Sequence, residues 1–100
     1  MEIKEKISEI TIYELSDFYK VMGDSTRLKI LLALQDGDKN VSTLCEITNM
    51  NISAISHQLR ILKQADLIRY KKEGKNVIYT LADDHINSIL QVGLEHINEK

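Results

Sequence analysis

Two of the three histidines in this 100-residue chain stand in its final stretch, DDHINSILQVGLEHINEK, and each has a carboxylate close by. Asp83 precedes His85 by two positions, and Glu99 follows His96 by three. Imidazole nitrogen and carboxylate oxygen are ligands for Zn²⁺, and two of each suit a tetrahedral ion with bonds of about 2.0 to 2.2 Å. One copy of the chain cannot supply all four to one ion. His85 and His96 are eleven residues apart, which on a helix puts them on one face but roughly 16 Å from each other. The stretch therefore reads as two half-sites. Asp83 lies ahead of the helix, where the backbone is not yet helical and can converge with His85, while Glu99 is within a turn of His96. If a second copy of the helix packs antiparallel across a two-fold axis, each junction gathers two imidazoles and two carboxylates. The same residues also admit a plainer reading, in which Asp83 or Asp84 caps the helix and the histidines and Glu99 are solvated.

A second constellation lies in NISAISHQLRILKQA. Ile52, Ile55, Leu59 and Leu62 recur at helical spacing as an apolar stripe, and Ser53, His57, Arg60 and Gln64 recur on the far side, with Ser56 at the flank. Those polar side chains are short or planar hydrogen-bonders, suited to phosphates and to base edges in a major groove. An ordinary solvated face more often carries Glu and Lys. Downstream, Arg60, Lys63, Arg69, Lys71, Lys72 and Lys75 face only Asp66 and Glu73 between residues 60 and 75. The first eighteen residues reverse the balance, with Glu2, Glu5, Glu9, Glu14 and Asp17 against Lys4 and Lys6. The formal net charge of −2 thus conceals a basic region able to meet phosphates.

These groups need elements to hold them. With 43% apolar and 28% charged residues and no proline, the composition is that of a helix-rich globular chain. The length corresponds to one small domain that oligomerisation would help to stabilise. Leu15, Phe18, Tyr19 and Met22 predict an amphipathic helix from about residue 8 to Met22, ended by Gly23. In GDSTRLKILLALQDG, Asp24 or Ser25 can cap a second helix whose core stripe is Leu28, Leu31, Leu32 and Leu34, with Gly37 at its close. VSTLCEIT predicts a two-turn helix anchored by Leu44 and Ile47. With the helix that follows TNMN it makes a helix-turn-helix. LIRYKKEGKNVIYTLA alternates as a β-hairpin with glycine in its basic tip KEGK, and a basic hairpin after a helix-turn-helix is a wing. In the last helix Ile86, Ile89, Leu90, Gly93 and Ile97 form a narrow stripe, with Leu94 beside it, that calls for a packing partner. No signal peptide or membrane span is read, and the single cysteine, Cys45, fits a reducing compartment, so the chain is expected to be cytoplasmic.

The segments GDSTRLKILLAL, ISAISHQLRILKQADLI, YKKEGKNVIYTL and DDHINSILQVGLEHINE together resemble the ArsR/SmtB metal-sensing repressors over nearly the whole chain. The resemblance implies a mainly α fold with a β-hairpin: a single winged helix-turn-helix domain over residues 1–100, homodimeric through its terminal helices. The helix-turn-helix would span about 41–64, the wing about 67–81 and the dimerising, metal-binding helix about 84–98. By the same resemblance Asp83, His85, His96 and Glu99 are ligands for Zn(II) or Co(II), shared between subunits. Ser53, Ser56, His57 and Gln58, preserved in SAISHQL, join Arg60, Gln64, Lys71, Lys72 and Lys75 as contacts to double-stranded operator DNA. The implied function is a repressor that releases its operator on binding metal. Two departures from the family pattern matter. Cys45 stands alone where sensors of softer metals carry Cys-x-Cys, which leaves cadmium, lead and arsenite poorly served. Ile52 stands where several relatives have glutamine. Two other readings remain open: a winged-helix regulator indifferent to metal, and a small zinc hydrolase. Against the hydrolase, four protein ligands would leave no coordination position for water.

Overall fold

The computed structural model describes residues 6–99. Five helices form, and each starts where a short polar side chain accepts the free amides of the first turn. Ser8 caps α1 (Glu9–Met22), Asp24 caps α2 (Ser25–Asp36), Asn40 caps α3 (Val41–Thr48), Asn51 caps α4 (Ile52–Gln64) and Asp83 caps α5 (Asp84–Asn98). The Asn51 bond, from the Ala54 amide at 2.8 Å, fixes where the fourth helix begins, and losing such a cap costs on the order of 1 kcal/mol. Between α3 and α4 the chain reverses through Asn49 in the left-handed region (φ 57°, ψ 40°), which asparagine tolerates better than most residues. Met50 donates its amide to the Cys45 carbonyl at 3.1 Å, closing the turn, and its side chain packs on the core.

Ile30, Leu31, Leu44, Ile55, Leu62 and Leu67 are fully buried and bring α2, α3, α4 and the segment after α4 into one core. Burying each such side chain contributes about 1.5 to 3 kcal/mol relative to exposure. α2 runs through the centre, against α1, α3, α4 and the sheet. That position explains why its buried set, Ile30, Leu31, Ala33 and Leu34, is wider than the expected leucine stripe, of which Leu28 and Leu32 are only half-buried.

Two expected core positions are instead open. Ile47 is 52% exposed and Ile52 is 65% exposed. α3 is only two turns long and commits Leu44 to the core, leaving Ile47 on its outer side. Ile52 opens α4 ahead of its first covered turn, where Ile55 is the first side chain to reach the core.

Past α4, Asp66 takes a positive φ of 59°, and the Leu67 amide reaches back to the Leu62 carbonyl at 3.0 Å, which turns the chain into the sheet. β2 (Ile68–Glu73) and β3 (Asn76–Leu81) pair antiparallel, from Ile68 opposite Leu81 to Glu73 opposite Asn76. Gly74, at φ 62°, takes the first place in the two-residue turn, where a side chain would be strained. A third strand, β1 (Lys39–Asn40), adds to β3, giving the order β1-β3-β2. Two residues are too few to show an alternating pattern, so the sequence reveals the hairpin and not this edge.

The outer helices leave apolar surface open. On α1, Ile10, Tyr13, Leu15 and Tyr19 are 72%, 66%, 49% and 53% exposed, so only Phe18 and Met22 of its expected stripe face inward. On α5, Ile86 and Leu90 are buried while Val92 and Ile97 are each 64% exposed. No helix among the described residues is long and apolar enough to cross a membrane.

Candidate nucleic-acid interface and metal half-sites

α4 shows its polar stripe to solvent. Ser53, Ser56, His57, Arg60 and Gln64 are exposed, and the first four line a shallow depression of about 340 Å³ together with Ile52. Ile52 therefore sits among the polar side chains of the candidate reading face and not in the apolar stripe. Gln58 stands elsewhere. It is half-buried, and its Oε1 accepts a hydrogen bond from Nη1 of Arg27 at 3.3 Å.

The wing projects into solvent beside this helix. Arg69, Lys71, Lys72 and Lys75 are all exposed, and Lys71 lies 3.6 Å from Glu73 in an open ion pair of little energetic weight. Its base is braced by Tyr70 and Tyr79, a cross-strand pair with ring centroids 5.9 Å apart. Desolvation, and secondarily the neighbouring Tyr70, pushes the Tyr79 hydroxyl above its ordinary pKa. Lys63 of α4 places its ammonium 4.5 Å from the Tyr70 ring centre, a cation–π contact that ties α4 to the hairpin.

The two ends of α5 carry the metal-type residues. Asp83 Oδ1 accepts the amides of His85 at 2.9 Å and Ile86 at 3.3 Å, and lies 3.4 Å from Nδ1 of the His85 ring. Desolvation is the largest single influence on this carboxyl and pushes it up. The Ile86 amide, the side chain and amide of His85 and the His85 charge together outweigh it, holding the pKa below the usual aspartate value. The His85 side chain is 90% exposed. At the far end His96 is exposed within the last turn, and Glu99 is the residue at which the helix stops, its amide 3.4 Å from the His96 carbonyl. No imidazole nitrogen of His96 comes within 4.0 Å of a Glu99 carboxylate oxygen, unlike His85 and Asp83. Among the described residues no three His, Cys, Asp or Glu side chains stand close enough together to hold an ion. Cys45 is half-buried against the core.

Sequence reasoning passed over Arg27. A weak signal was present: a basic residue in the first turn of α2 opposes the helix dipole, which points to another use for its charge.

A helix-turn-helix with an exposed polar face, followed by a basic antiparallel hairpin, defines a winged helix-turn-helix transcriptional regulator. Residues 24–70 match the family described as bacterial regulatory protein, arsR family. The chain is 34% identical over 86 residues to the "Transcriptional repressor SmtB homolog" of Synechocystis sp., a match covering 86% of this chain and 65% of that protein. It is 30% identical over 97 residues to the "Cadmium resistance transcriptional regulatory protein CadC homolog" of Staphylococcus aureus, covering 96% and 80%. In fold it is similar to a homodimeric winged helix-turn-helix DNA-binding domain from Mycobacterium bovis, with a TM-score of 0.82, 23% identity and coverage of 97% and 96%. The chain belongs to the arsR family of bacterial regulatory proteins. Its relatives are regulators and not enzymes, so the hydrolase reading is set aside.

Proposed function

We propose that this protein is a homodimeric repressor that holds its operator when metal is scarce and lets go when Zn²⁺ or Co²⁺ occupies sites shared between two copies. The observation that carries the reading is the layout of α5. An imidazole and a carboxylate stand at each end of one helix, and His85 and His96 are exposed. Between them the apolar stripe stays partly uncovered, around a groove of about 200 Å³ that includes Leu32, Ile89, Leu94 and Ile97. Apolar surface left open on both α1 and α5 favours a second copy lying against them. An antiparallel pair of α5 helices would bring Asp83 and His85 of one copy toward His96 and Glu99 of the other.

The donor set fits the borderline ions. It offers two imidazoles and two carboxylates, and Oδ2 of Asp83 takes no part in the cap, so it is free to ligate. Thiolate, which soft ions prefer, has one source in the chain, and Cys45 packs on the core. A bound ion would supply a bridge of fixed geometry between subunits.

Release requires a difference in affinity. Metal lowers operator affinity only to the extent that it prefers a dimer shape in which the two α4 helices no longer match successive major grooves, about 34 Å apart. Reciprocity then demands that operator DNA weaken metal binding by the same factor. On the DNA side Ser53, Ser56, His57, Arg60 and Gln64 would face the groove, while Lys71, Lys72 and Lys75 of the wing meet phosphates.

The test is operator affinity at fixed salt with and without zinc, using a duplex selected from random-sequence DNA by the protein itself. Loss of affinity with zinc supports the reading. The capping role of Asp83 favours one rival, in which α5 only dimerises and its histidines are bystanders. Affinity unmoved by zinc would establish that rival.

A further inference from the structure

Gln58 does not share the polar face of α4. At about 100° per residue it lies roughly 140° around the helix from Ser53, on the side that turns toward the core. There its side-chain oxygen meets Nη1 of Arg27 at 3.3 Å. A guanidinium can only donate, so the amide oxygen, and not the amide nitrogen, has to face it.

Arg27 is fixed at two other points. Its Nε donates to the Val21 carbonyl at 2.7 Å, and its backbone amide donates to Oδ2 of Asp24 at 3.1 Å. The Val21 carbonyl belongs to the last turn of α1, where carbonyls lack helical donors. Among the described residues no carboxylate oxygen comes within 4.0 Å of a guanidinium nitrogen of Arg27. This half-buried cation takes its protein acceptors from the Val21 carbonyl and the Gln58 oxygen, and removing the Gln58 oxygen gives up the one that ties it to α4. One side chain thus joins the end of α1, the start of α2 and the middle of α4, across 31 residues of sequence.

We propose that Arg27 and Gln58 are positioning residues that set the attitude of the recognition helix, and that Gln58 serves DNA binding through this link without touching DNA. The inference rests on the DNA-binding reading above. Base edges are read only when side chains are held to about 0.5 Å and 10–20°, so a helix freed at its middle loses affinity even with its reading face intact. Because α1 also carries open apolar surface, the link runs between the face suited to a second copy and the face suited to a duplex.

Gln58→Glu and Gln58→Met separate this role from direct contact. Glutamate keeps an oxygen for Arg27 but would set a negative charge against phosphates or base acceptors if the residue touched DNA. Methionine keeps the volume and removes the hydrogen bond. With the selected duplex at fixed salt, Gln58→Met and Arg27→Met should each weaken binding about tenfold, as expected for losing a hydrogen bond to a charged group. The double variant should lose no more than Arg27→Met alone, Gln58→Glu should stay within about threefold of the parent, and the salt slope should not change because phosphate contacts are untouched. A loss with Gln58→Glu as large as that with Gln58→Met, or no loss with Gln58→Met, would overturn the proposal. Amide hydrogen exchange along α4 in the free protein is the second measurement. It should quicken in Gln58→Met and not in Gln58→Glu, and equal protection in all three proteins would also overturn the link. Should the parent chain select no duplex at all, the DNA-binding reading fails, while the exchange experiment still decides whether the link holds the helix.

Discussion

Asp83 and His85 are joined through a single oxygen. Oδ1 accepts the His85 amide at 2.9 Å and stands 3.4 Å from the imidazole Nδ1 of the same residue, so the aspartate that starts α5 also aligns the first histidine of the proposed metal site. Two duties on one carboxylate can be separated by substitution. Asparagine caps a helix as well as aspartate does but brings no charge to a cation, whereas alanine does neither. Asp83→Asn should keep the helical content of the parent and lose at least about tenfold in zinc affinity, the lower bound for disturbing even an outer contact of a metal site. Asp83→Ala should lower helical content and zinc affinity alike. Circular dichroism with a competitive zinc titration distinguishes them, and equal zinc affinity in Asp83→Asn and the parent would remove Asp83 from the ligand set.

His96 lies at the opposite end of α5, far from the reading face. His96→Ala is expected to bind the selected duplex as the parent does and to stay bound when zinc is added. Fluorescence anisotropy of labelled DNA, with and without zinc, reads both properties in one experiment. Release by zinc that survives the substitution would exclude His96 as a ligand.

Acidity acts on this region in two separate ranges. An imidazole must be neutral to coordinate, so protons compete with the ion and zinc affinity should fall as pH drops from about 7.5 to about 5.5. A flat profile there would argue against histidine ligation. The Asp83 carboxyl has its pKa lowered on folding, which means that the folded state favours its ionised form. Its contribution to stability is therefore full above the unfolded value near 3.9 and disappears as pH falls through the folded one. Amide exchange at the first turn of α5 should quicken only in that lower range, and in Asp83→Asn it should not respond to pH in this way.

Ile52 and Leu62, both on α4, should behave in opposite ways. Leu62 is fully buried, and Leu62→Ala should cost about 2 to 5 kcal/mol of stability. Ile52 is mostly exposed and lines the same depression as Ser53 and His57, so Ile52→Ala should change stability by no more than about 0.5 kcal/mol. Its effect should appear in operator affinity or sequence preference. Chemical denaturation and duplex selection, run on both variants, check the contrast.

Wing lysines predict a salt signature. If Lys72 and Lys75 each meet a phosphate, replacing either by alanine should weaken binding across all sequences and flatten the plot of log affinity against log salt by about 0.9. An unchanged slope would place the wing away from the backbone.

Local chemistry made much of this legible in the sequence. Caps such as Asp24, glycines at forced turns such as Gly74, and the period of Ile55, Leu59 and Leu62 placed the helices and the hairpin, because each depends on neighbours within a few residues. What escaped depends on distant chain. Periodicity gives the direction of a stripe but not how far along the helix another element covers it, and so Ile47 and Ile52 were expected inside. Nothing near Gln58 discloses that Arg27 reaches it from 31 positions away. The proposed half-sites on α5 rest on a spacing pattern, and their assembly would need a second copy that a single sequence does not contain.

The short strand β1 binds these parts together in a way that constrains any switch. Asn40 pairs with Ile78 of the wing while its side chain accepts the Thr43 amide at 2.8 Å to start the helix-turn-helix. Wing and reading head thus share a pivot and cannot swing apart without breaking both attachments. In the proposed dimer each copy would then behave as one jaw of a caliper, and what an effector could adjust is the gap and tilt between the jaws.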